Sequence, residues 1–290
     1  MGHGHDEALV STAWLAEHLD DPAIRIVDAS FTLPGVKPTG RDNFRAGHIP
    51  GAVYFDIDEI SDHSTSLPHM LPKPEEFATA MAKLGVGDVH RVVAYEVGSL
   101  STAARAWWML RAFGHDDVAV LDGGLAKWAA EGRPVTTEIP KLASARFTTR
   151  FNSALVRNKA QIFDNLTSEC DQVLDARAAE RFAGTAPEPW PGRRSGHIPG
   201  SLSLPYTRLV DPATKTVLPA EKLAAAFRDA GVGADRPVVC SCGSGVTACA
   251  LALGLYLIGR EDVAIYDGSW AEWGLPGNTP IATGAPRHRP

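Results

Sequence analysis

The residues best suited to chemistry lie in one short stretch of this 290-residue chain. The apolar run VVCSC ends at Cys242, the segment GSGV follows, and TACALALGLYLIG then has the pattern of a helix. This order predicts a buried strand, a turn and a helix, and open α/β sheets bind their ligands at such turns. Glycines let successive amides point toward one centre, and the helix N-terminus adds to them. We therefore expect a stabilised thiolate at Cys242 that acts as a nucleophile.

The rest of this loop should contact whatever the thiolate attacks. Its remaining members are Gly243, Ser244, Gly245, Val246 and Thr247. Related cradle loops serve cysteine phosphatases, but those close on an arginine that grips phosphate, and CGSGVT has none. The sequence therefore argues against phosphatase chemistry.

The other three cysteines have simpler interpretations. Cys240 lies within the predicted strand and Cys249 on the predicted helix, so both are expected to be small buried hydrophobic residues. Nothing around Cys170 suggests a role. Four cysteines are too few for a disulfide scaffold in a chain of this size, which favours a reducing cytoplasm.

The elements that must position Cys242 occur twice. GHIPGA at 47–52 returns as GHIPGS at 196–201, and the segment that begins RVVAYEVGSLSTAARAWW at Arg91 matches RPVVCSCGSGVTACALAL from Arg236. In each copy short β-branched runs alternate with helical stretches, which predicts an α/β fold with a parallel sheet covered by helices on both faces. The periodic pattern lapses near residue 145, so we predict domains at 1–145 and 146–290.

The repeat also provides a comparison within the chain. Val97 occupies the position in the first copy that Cys242 occupies in the second. The first copy has kept the scaffold without the nucleophile, so we expect one active site per chain.

Composition limits the partners. The chain has 28 basic and 34 acidic residues and a net charge of -6, which argues against a general nucleic-acid or acidic-membrane surface. The most apolar stretch, at 248–258, is short and contains a glycine, so we expect a buried helix and no membrane span. The cysteine spacings and scattered histidines indicate no metal cluster, and no organic cofactor is implied.

These motifs resemble the tandem rhodanese-fold sulfurtransferases, and more closely the 3-mercaptopyruvate sulfurtransferases, over nearly the whole chain. The matching segments are GHIPG in both halves, FDID at 55–58, HMLP at 69–72, LDGGLAKW at 121–128, RFAGT at 181–185, CGSGVT at 242–247 and YDGSWAEWG at 266–274. The resemblance implies two rhodanese-like domains and two-step sulfur transfer. Cys242 would take sulfur from a small-molecule donor as a persulfide and pass it to cyanide or to a thiol such as thioredoxin or a low-molecular-weight thiol.

The resemblance also implies a proton relay. Its members here are Ser244, His69 and Asp58, and the first copy supplies the last two. Histidine can move a proton near neutral pH, and an aspartate can orient its ring. Each residue also has a structural interpretation: a turn serine, a capped loop histidine and a helix-capping aspartate.

The donor is predicted from charge. Family members that prefer thiosulfate, a compact dianion, carry basic residues just after the cysteine, whereas Gly243 and Ser244 are neutral. This favours 3-mercaptopyruvate, a monoanion whose carboxylate would be gripped by Arg181. The family's second arginine, the last residue of PEPR, is Trp190 here.

Arg193 or Arg194 could supply the missing guanidinium, or both could be solvated surface charges. Two other functions stay open at this point. One is a thiosulfate sulfurtransferase on the same scaffold, and the other is a non-catalytic sulfide carrier or interaction module.

Overall fold

Two parallel five-stranded sheets form the framework of the protein. The computed structural model describes residues 4–33 and 35–286. The strands of the first sheet are β1 (Leu9–Val10), β2 (Ile24–Asp28), β3 (Val53–Tyr54), β4 (Arg91–Tyr95) and β5 (Val118–Leu121). Those of the second are β6 (Val156–Arg157), β7 (Gln172–Asp175), β8 (Leu202–Ser203), β9 (Val238–Ser241) and β10 (Val263–Tyr266). The orders are β1-β5-β4-β2-β3 and β6-β10-β9-β7-β8, so corresponding strands hold corresponding places.

Helices alternate with the strands along the chain. The first unit contains α1 (Thr12–Glu17), α2 (Gly40–Ala46), α3 (Pro74–Lys83), α4 (Ser101–Ala112) and α5 (Gly124–Ala130). The second contains α6 (Lys159–Ser168), α7 (Ala179–Ala183), α8 (Ala220–Asp229), α9 (Ala248–Leu257) and α10 (Ser269–Trp273). Short 3-10 helices lie at Asp6–Ala8, Ser153–Leu155 and Tyr206–Leu209. The predicted duplication of one α/β unit is confirmed.

Both faces of each sheet are covered, which explains why the strands read as continuous apolar runs. Alternate residues of β4 enter two different cores: Val92 and Ala94 pack on one side of the sheet, and Val93 and Tyr95 on the other. The period of two along a strand produces this division. No helix within the described ranges has the length and hydrophobicity needed to traverse a bilayer.

The two units share one core across α4 and α9, which pack against each other. Every residue of α9 except Tyr256 is buried, because this helix is apolar on all sides. One cluster of buried side chains contains Leu110 of α4 together with Leu251 and Leu255 of α9. The stretch predicted as a short buried helix therefore joins the two domains.

The connection between the units runs along the first one. Thr136 forms an isolated bridge with His48, the Ala145 amide donates to the Ala82 carbonyl at 3.1 Å, and the Asn152 amide donates to the Ala112 carbonyl at 2.8 Å. The boundary predicted at residue 145 lies within this segment and stays a prediction.

A buried ion pair also crosses the interface. Arg105 of α4 donates from Nη1 to Asp267 Oδ1 at 2.7 Å, and the two side chains are only 1% and 4% exposed. Asp267 follows β10 directly, and its Oδ2 accepts from the Leu71 amide at 2.7 Å. The guanidinium also faces the Trp108 ring, with 4.6 Å from Cζ to the centroid. This pair fixes a side chain of one unit to the carboxyl edge of the other unit's sheet.

Replacing Arg105 by Met should destabilise the protein by about 3–5 kcal/mol, because Asp267 would keep a buried charge without its partner. Chemical denaturation of the variant and the wild type measures the change in the free energy of unfolding. Arg228→Met, at an exposed position in the last turn of α8, is the matched control. Equal stability of all three proteins would contradict this role for the ion pair.

Candidate active site

The loop that contains Cys242 joins β9 to α9 and is anchored at its start. Cys242 is 1% exposed, and its amide donates to Ser269 Oγ at 3.1 Å. Its carbonyl accepts from the Trp270 amide at 3.0 Å, and the Gly243 carbonyl accepts from the Ala271 amide at 2.7 Å. The beginning of α10 therefore sets the position of the cysteine.

Beyond Cys242, the amides of residues 243–247 donate to no acceptor in the described part of the chain. The corresponding loop of the first unit shows what such amides can bind. There the amides of Ser99 and Thr102 donate to the carboxylate of Glu96, the second at 2.7 Å. Leu100 has a φ of 74°, close to the 77° of Gly245 at the matching position. The loop thus holds an anion in the first unit and offers equivalent amides around Cys242 in the second.

Three side chains form a hydrogen-bonded chain beside the cysteine. Ser244 Oγ lies 2.9 Å from His69 Nδ1, and His69 Nε2 lies 3.0 Å from Asp58 Oδ1. Because an ionised carboxylate only accepts, Nε2 carries the proton, and in the neutral ring Nδ1 then accepts from the serine hydroxyl. The side chain of His69 is 3% exposed and that of Asp58 is 60% exposed. These hydrogen bonds therefore connect Ser244, close to Cys242 in the loop, to a side chain exposed to solvent.

His69 is held in place from several sides. Its φ of 59° lies in the left-handed region, which a residue with a side chain adopts at a cost of about 1 kcal/mol. Its carbonyl accepts a hydrogen bond from Arg105 Nη2. The imidazole meets the rings of Phe31 and Trp190 at centroid distances of 5.2 and 5.8 Å. Backbone and ring are both fixed, so the orientation of the relay is set before a substrate binds.

Arg105 connects this histidine to the cysteine loop. Besides Asp267 and the His69 carbonyl, its guanidinium donates to the Gly245 carbonyl at 3.2 Å. Sequence reasoning missed both Arg105 and Asp267. The available signal was the presence of two charged residues, Arg105 and Arg111, inside ARAWWMLRAF, an otherwise apolar helical run, because such a charge is buried only with a partner.

A cavity of about 500 Å³ opens between the two units above the cysteine. Cys242, Gly243, Ser244, Val246, Thr247, His69, Arg181 and Trp190 line it, and so do the first-unit loop residues from Glu96 to Ser99. Gly245 and Asp58 do not line it: the carbonyl of the first accepts from Arg105, and the carboxylate of the second contacts His69. The structure therefore brings most of the predicted site residues together.

Arg181 approaches the cysteine loop closely. Its Nη2 donates to Glu188 Oε2 at 2.6 Å, and Glu188 also accepts from the buried Arg177 at 2.8 Å. A Cβ atom added to Gly243 would lie 2.9 Å from Arg181 Nη2. Glycine at this position therefore gives the guanidinium room beside the loop.

Arg193 and Arg194 are not at the cavity. Arg193 Nε donates to the Ala271 carbonyl at 3.0 Å, and Arg194 donates to the carbonyls of Thr279 and Trp273 at 3.1 and 3.2 Å. The expectation that one of them replaces the missing guanidinium is wrong, because neither side chain reaches the cavity. Both guanidinium groups instead donate to backbone carbonyls around α10. They fix the helix that anchors Cys242.

The remaining cysteines differ from Cys242 in their surroundings. Cys240 and Cys249 are fully buried, and burial raises the pKa of both thiols, so they stay protonated at neutral pH. Cys170 is exposed, and none of the four cysteines forms a disulfide. Within the described residues no three His, Cys, Asp or Glu side chains are grouped in a way that could hold a metal ion.

Fold and site together define a duplicated α/β protein with a cavity lined by Cys242. The model of the rhodanese-like domain matches residues 11–131 and again residues 159–275. The chain belongs to the rhodanese family, with two copies of the domain.

Curated relatives and a solved structure extend this similarity over nearly the whole chain. The 3-mercaptopyruvate sulfurtransferase of Escherichia coli (strain K12) is 43% identical over 94% of this chain and 96% of its own length. The thiosulfate sulfurtransferase of Rattus norvegicus is 41% identical over 92% of this chain and 91% of its own. The crystal structure of SseA from Escherichia coli superposes with a TM-score of 0.83 at 41% identity and covers 91% of this chain and 98% of that chain.

Asp58→Asn should lower kcat for sulfur transfer by up to about 10²-fold, because an amide can donate to Nε2 and so favour the wrong tautomer of His69. Steady-state kinetics with the sulfur donor measure the effect, and KM should stay close to the wild-type value. Asp116→Asn, at an exposed aspartate outside the cavity lining, is the control. A variant with the wild-type kcat and pH profile would remove Asp58 from the relay.

Proposed function

We propose that this protein is a sulfurtransferase that moves sulfur from 3-mercaptopyruvate to a thiol or cyanide acceptor through a persulfide on Cys242, with release of pyruvate. One observation carries the proposal: Cys242 lines the cavity between the domains, next to the chain from Ser244 through His69 to Asp58. A nucleophile and a proton relay in one cavity are the groups that this reaction needs.

The first step forms an S–S bond and breaks a C–S bond. The Cys242 thiolate attacks the thiol sulfur of the donor, and the electron pair of the C–S bond passes to carbon as the enolate of pyruvate. As the attack proceeds, neutral His69, whose Nδ1 accepts from Ser244, takes the proton of the donor thiol through the Ser244 hydroxyl, and Asp58 stabilises the imidazolium. The same proton returns through Ser244 to the enolate, which leaves as pyruvate, and the persulfide stays on Cys242 as an anion. In the second step the acceptor attacks the outer sulfur and restores the thiolate. The amides of residues 243–247 stabilise the anionic sulfur in both steps.

The choice of donor rests on the charges at the cavity. Arg181 faces the loop, where Gly243 leaves space for it, and can bind a carboxylate through donors that Glu188 does not occupy. Gly243 and Ser244 bring no positive charge next to the sulfur itself, where a dianion would need it. The site therefore fits a monoanion whose charge lies away from the reacting sulfur.

A thiosulfate:cyanide sulfurtransferase is the second candidate. The relatives at 41% and 43% identity are named for different sulfur donors, thiosulfate and 3-mercaptopyruvate respectively. Trp190 occupies the position of the family's second arginine, so one cation that could bind a carboxylate is missing. The ratio of kcat/KM values for 3-mercaptopyruvate and thiosulfate, with cyanide as common acceptor, decides between the two. We expect 3-mercaptopyruvate to be preferred, and a preference for thiosulfate would overturn the donor assignment.

A non-catalytic sulfide carrier would need neither the relay nor the cavity. We therefore expect Cys242→Ser to abolish turnover with both donors while the fold is retained.

Thioredoxin, a low-molecular-weight thiol and cyanide all belong to the acceptor class that we propose. The four unpaired cysteines support a reducing compartment, and we propose the cytoplasm.

Arg181→Gln should raise KM for 3-mercaptopyruvate by roughly tenfold or more, since a charged hydrogen bond to the carboxylate is lost while glutamine still donates to Glu188. The KM for thiosulfate, which has no carboxylate, should change less. Arg208→Gln, outside the cavity lining, is the control. Equal changes in KM for the two donors would mean that Arg181 does not recognise the carboxylate.

A further inference from the structure

A second positive charge lies at the cavity on an element that sequence reasoning passed over. Lys215 belongs to the segment between the 3-10 helix Tyr206–Leu209 and α8, and it lines the same cavity as Cys242. Among the described residues that line this cavity, Lys215 is the only lysine and Arg181 is the only arginine.

The segment around Lys215 is a fixed turn. The Lys215 amide donates to the Asp211 carbonyl at 2.9 Å, and Asp211 Oδ1 accepts from the amides of Ala213 and Thr214. The Val217 amide donates to Asp122 Oδ1 at 2.7 Å, which ties the turn to the first unit. These bonds hold the lysine in the lining of the cavity between the domains.

Lys215 has an unusual backbone, with a φ of 62°. Left-handed conformations at residues other than glycine are concentrated at functional sites, where the surroundings enforce them. Its side-chain stem reaches the first-unit loop: a Cβ atom added to Gly98 would lie 3.5 Å from Lys215 Cγ. The stem thus passes next to Gly98, the residue after Val97, which replaces the nucleophile in the first unit.

The ammonium group of Lys215 has no ion-pair or hydrogen-bond partner among the described residues. The carboxylate of Glu96, which lines the same cavity, instead accepts hydrogen bonds from its own loop, donated by Ser99, Ser101 and Thr102. An unpaired cation at a substrate cavity is available for an anionic ligand.

We propose that Lys215 is the second carboxylate-binding cation of the donor site, in place of the arginine expected where Trp190 stands. This inference rests on the proposed function. Arg181 binds one carboxylate oxygen with its uncommitted Nη1, and Lys215 binds the other as a point charge on a flexible stem. Trp190 instead packs its ring against His69.

The test uses Lys215→Met, which keeps the apolar stem and the same backbone strain, and Lys215→Arg, which keeps the charge. We expect Met to raise KM for 3-mercaptopyruvate by roughly tenfold with kcat within about twofold of the wild type. Arg should restore most of the affinity. Lys222→Met, an exposed lysine of α8 outside the cavity lining, controls for the loss of one positive charge.

Pyruvate provides a second readout that needs no sulfur chemistry. It carries the same carboxylate, so its inhibition constant, or its dissociation constant by calorimetry, should rise in parallel in Lys215→Met. Unchanged pyruvate binding in this variant, or an equal loss in Lys222→Met, would overturn the proposal. If the wild type binds pyruvate through Lys215 but does not turn over 3-mercaptopyruvate, the donor assignment fails and the carboxylate site stands.

Discussion

The buried pair of Arg105 and Asp267 is the interaction on which the site depends. Removing both charges from water is costly, and the cost is offset only while the two groups face each other. That geometry spans the two domains, which also pack against each other through α4 and α9. Because the same guanidinium also binds the carbonyls of His69 and Gly245, one side chain sets the distance between the relay and the cysteine loop.

The two domains contribute different residues to the proposed site. The second domain kept a cysteine in its loop, whereas the first domain's loop closes on its own Glu96 and cannot supply a nucleophile. The first domain instead contributes His69 and Asp58, along with Arg105, to the site of its neighbour. Neither domain holds all residues of the proposed site, so we expect activity to require both domains in this arrangement.

Much of this could be predicted from the sequence. The repeat of GHIPG and the alternation of short apolar runs with helical stretches predicted two parallel α/β units, and the glycine-flanked Cys242 between strand and helix predicted the loop. These signals are local, since they depend on hydrophobic period and turn chemistry. The family resemblance supplied His69 and Asp58, which no local pattern places near a cysteine more than 170 positions away.

The residues that were missed or misplaced have two physical causes. Arg105, Asp267 and Lys215 matter because of which surfaces meet across the interface, and hydrophobic period does not specify that. Arg193 and Arg194 were assigned by closeness in sequence to Trp190, but their guanidinium groups turn to backbone carbonyls near α10. Closeness along an irregular loop says little about where a long side chain points.

In the proposed reaction, Cys242 carries sulfur covalently between donor and acceptor. Intact-mass spectrometry of protein treated with 3-mercaptopyruvate in the absence of acceptor tests it most directly. We expect a gain of about 32 Da, one sulfur atom, located on the peptide that contains Cys242 and lost on addition of cyanide. A protein whose mass is unchanged while sulfur transfer proceeds, or an adduct on Cys170 alone, would contradict it.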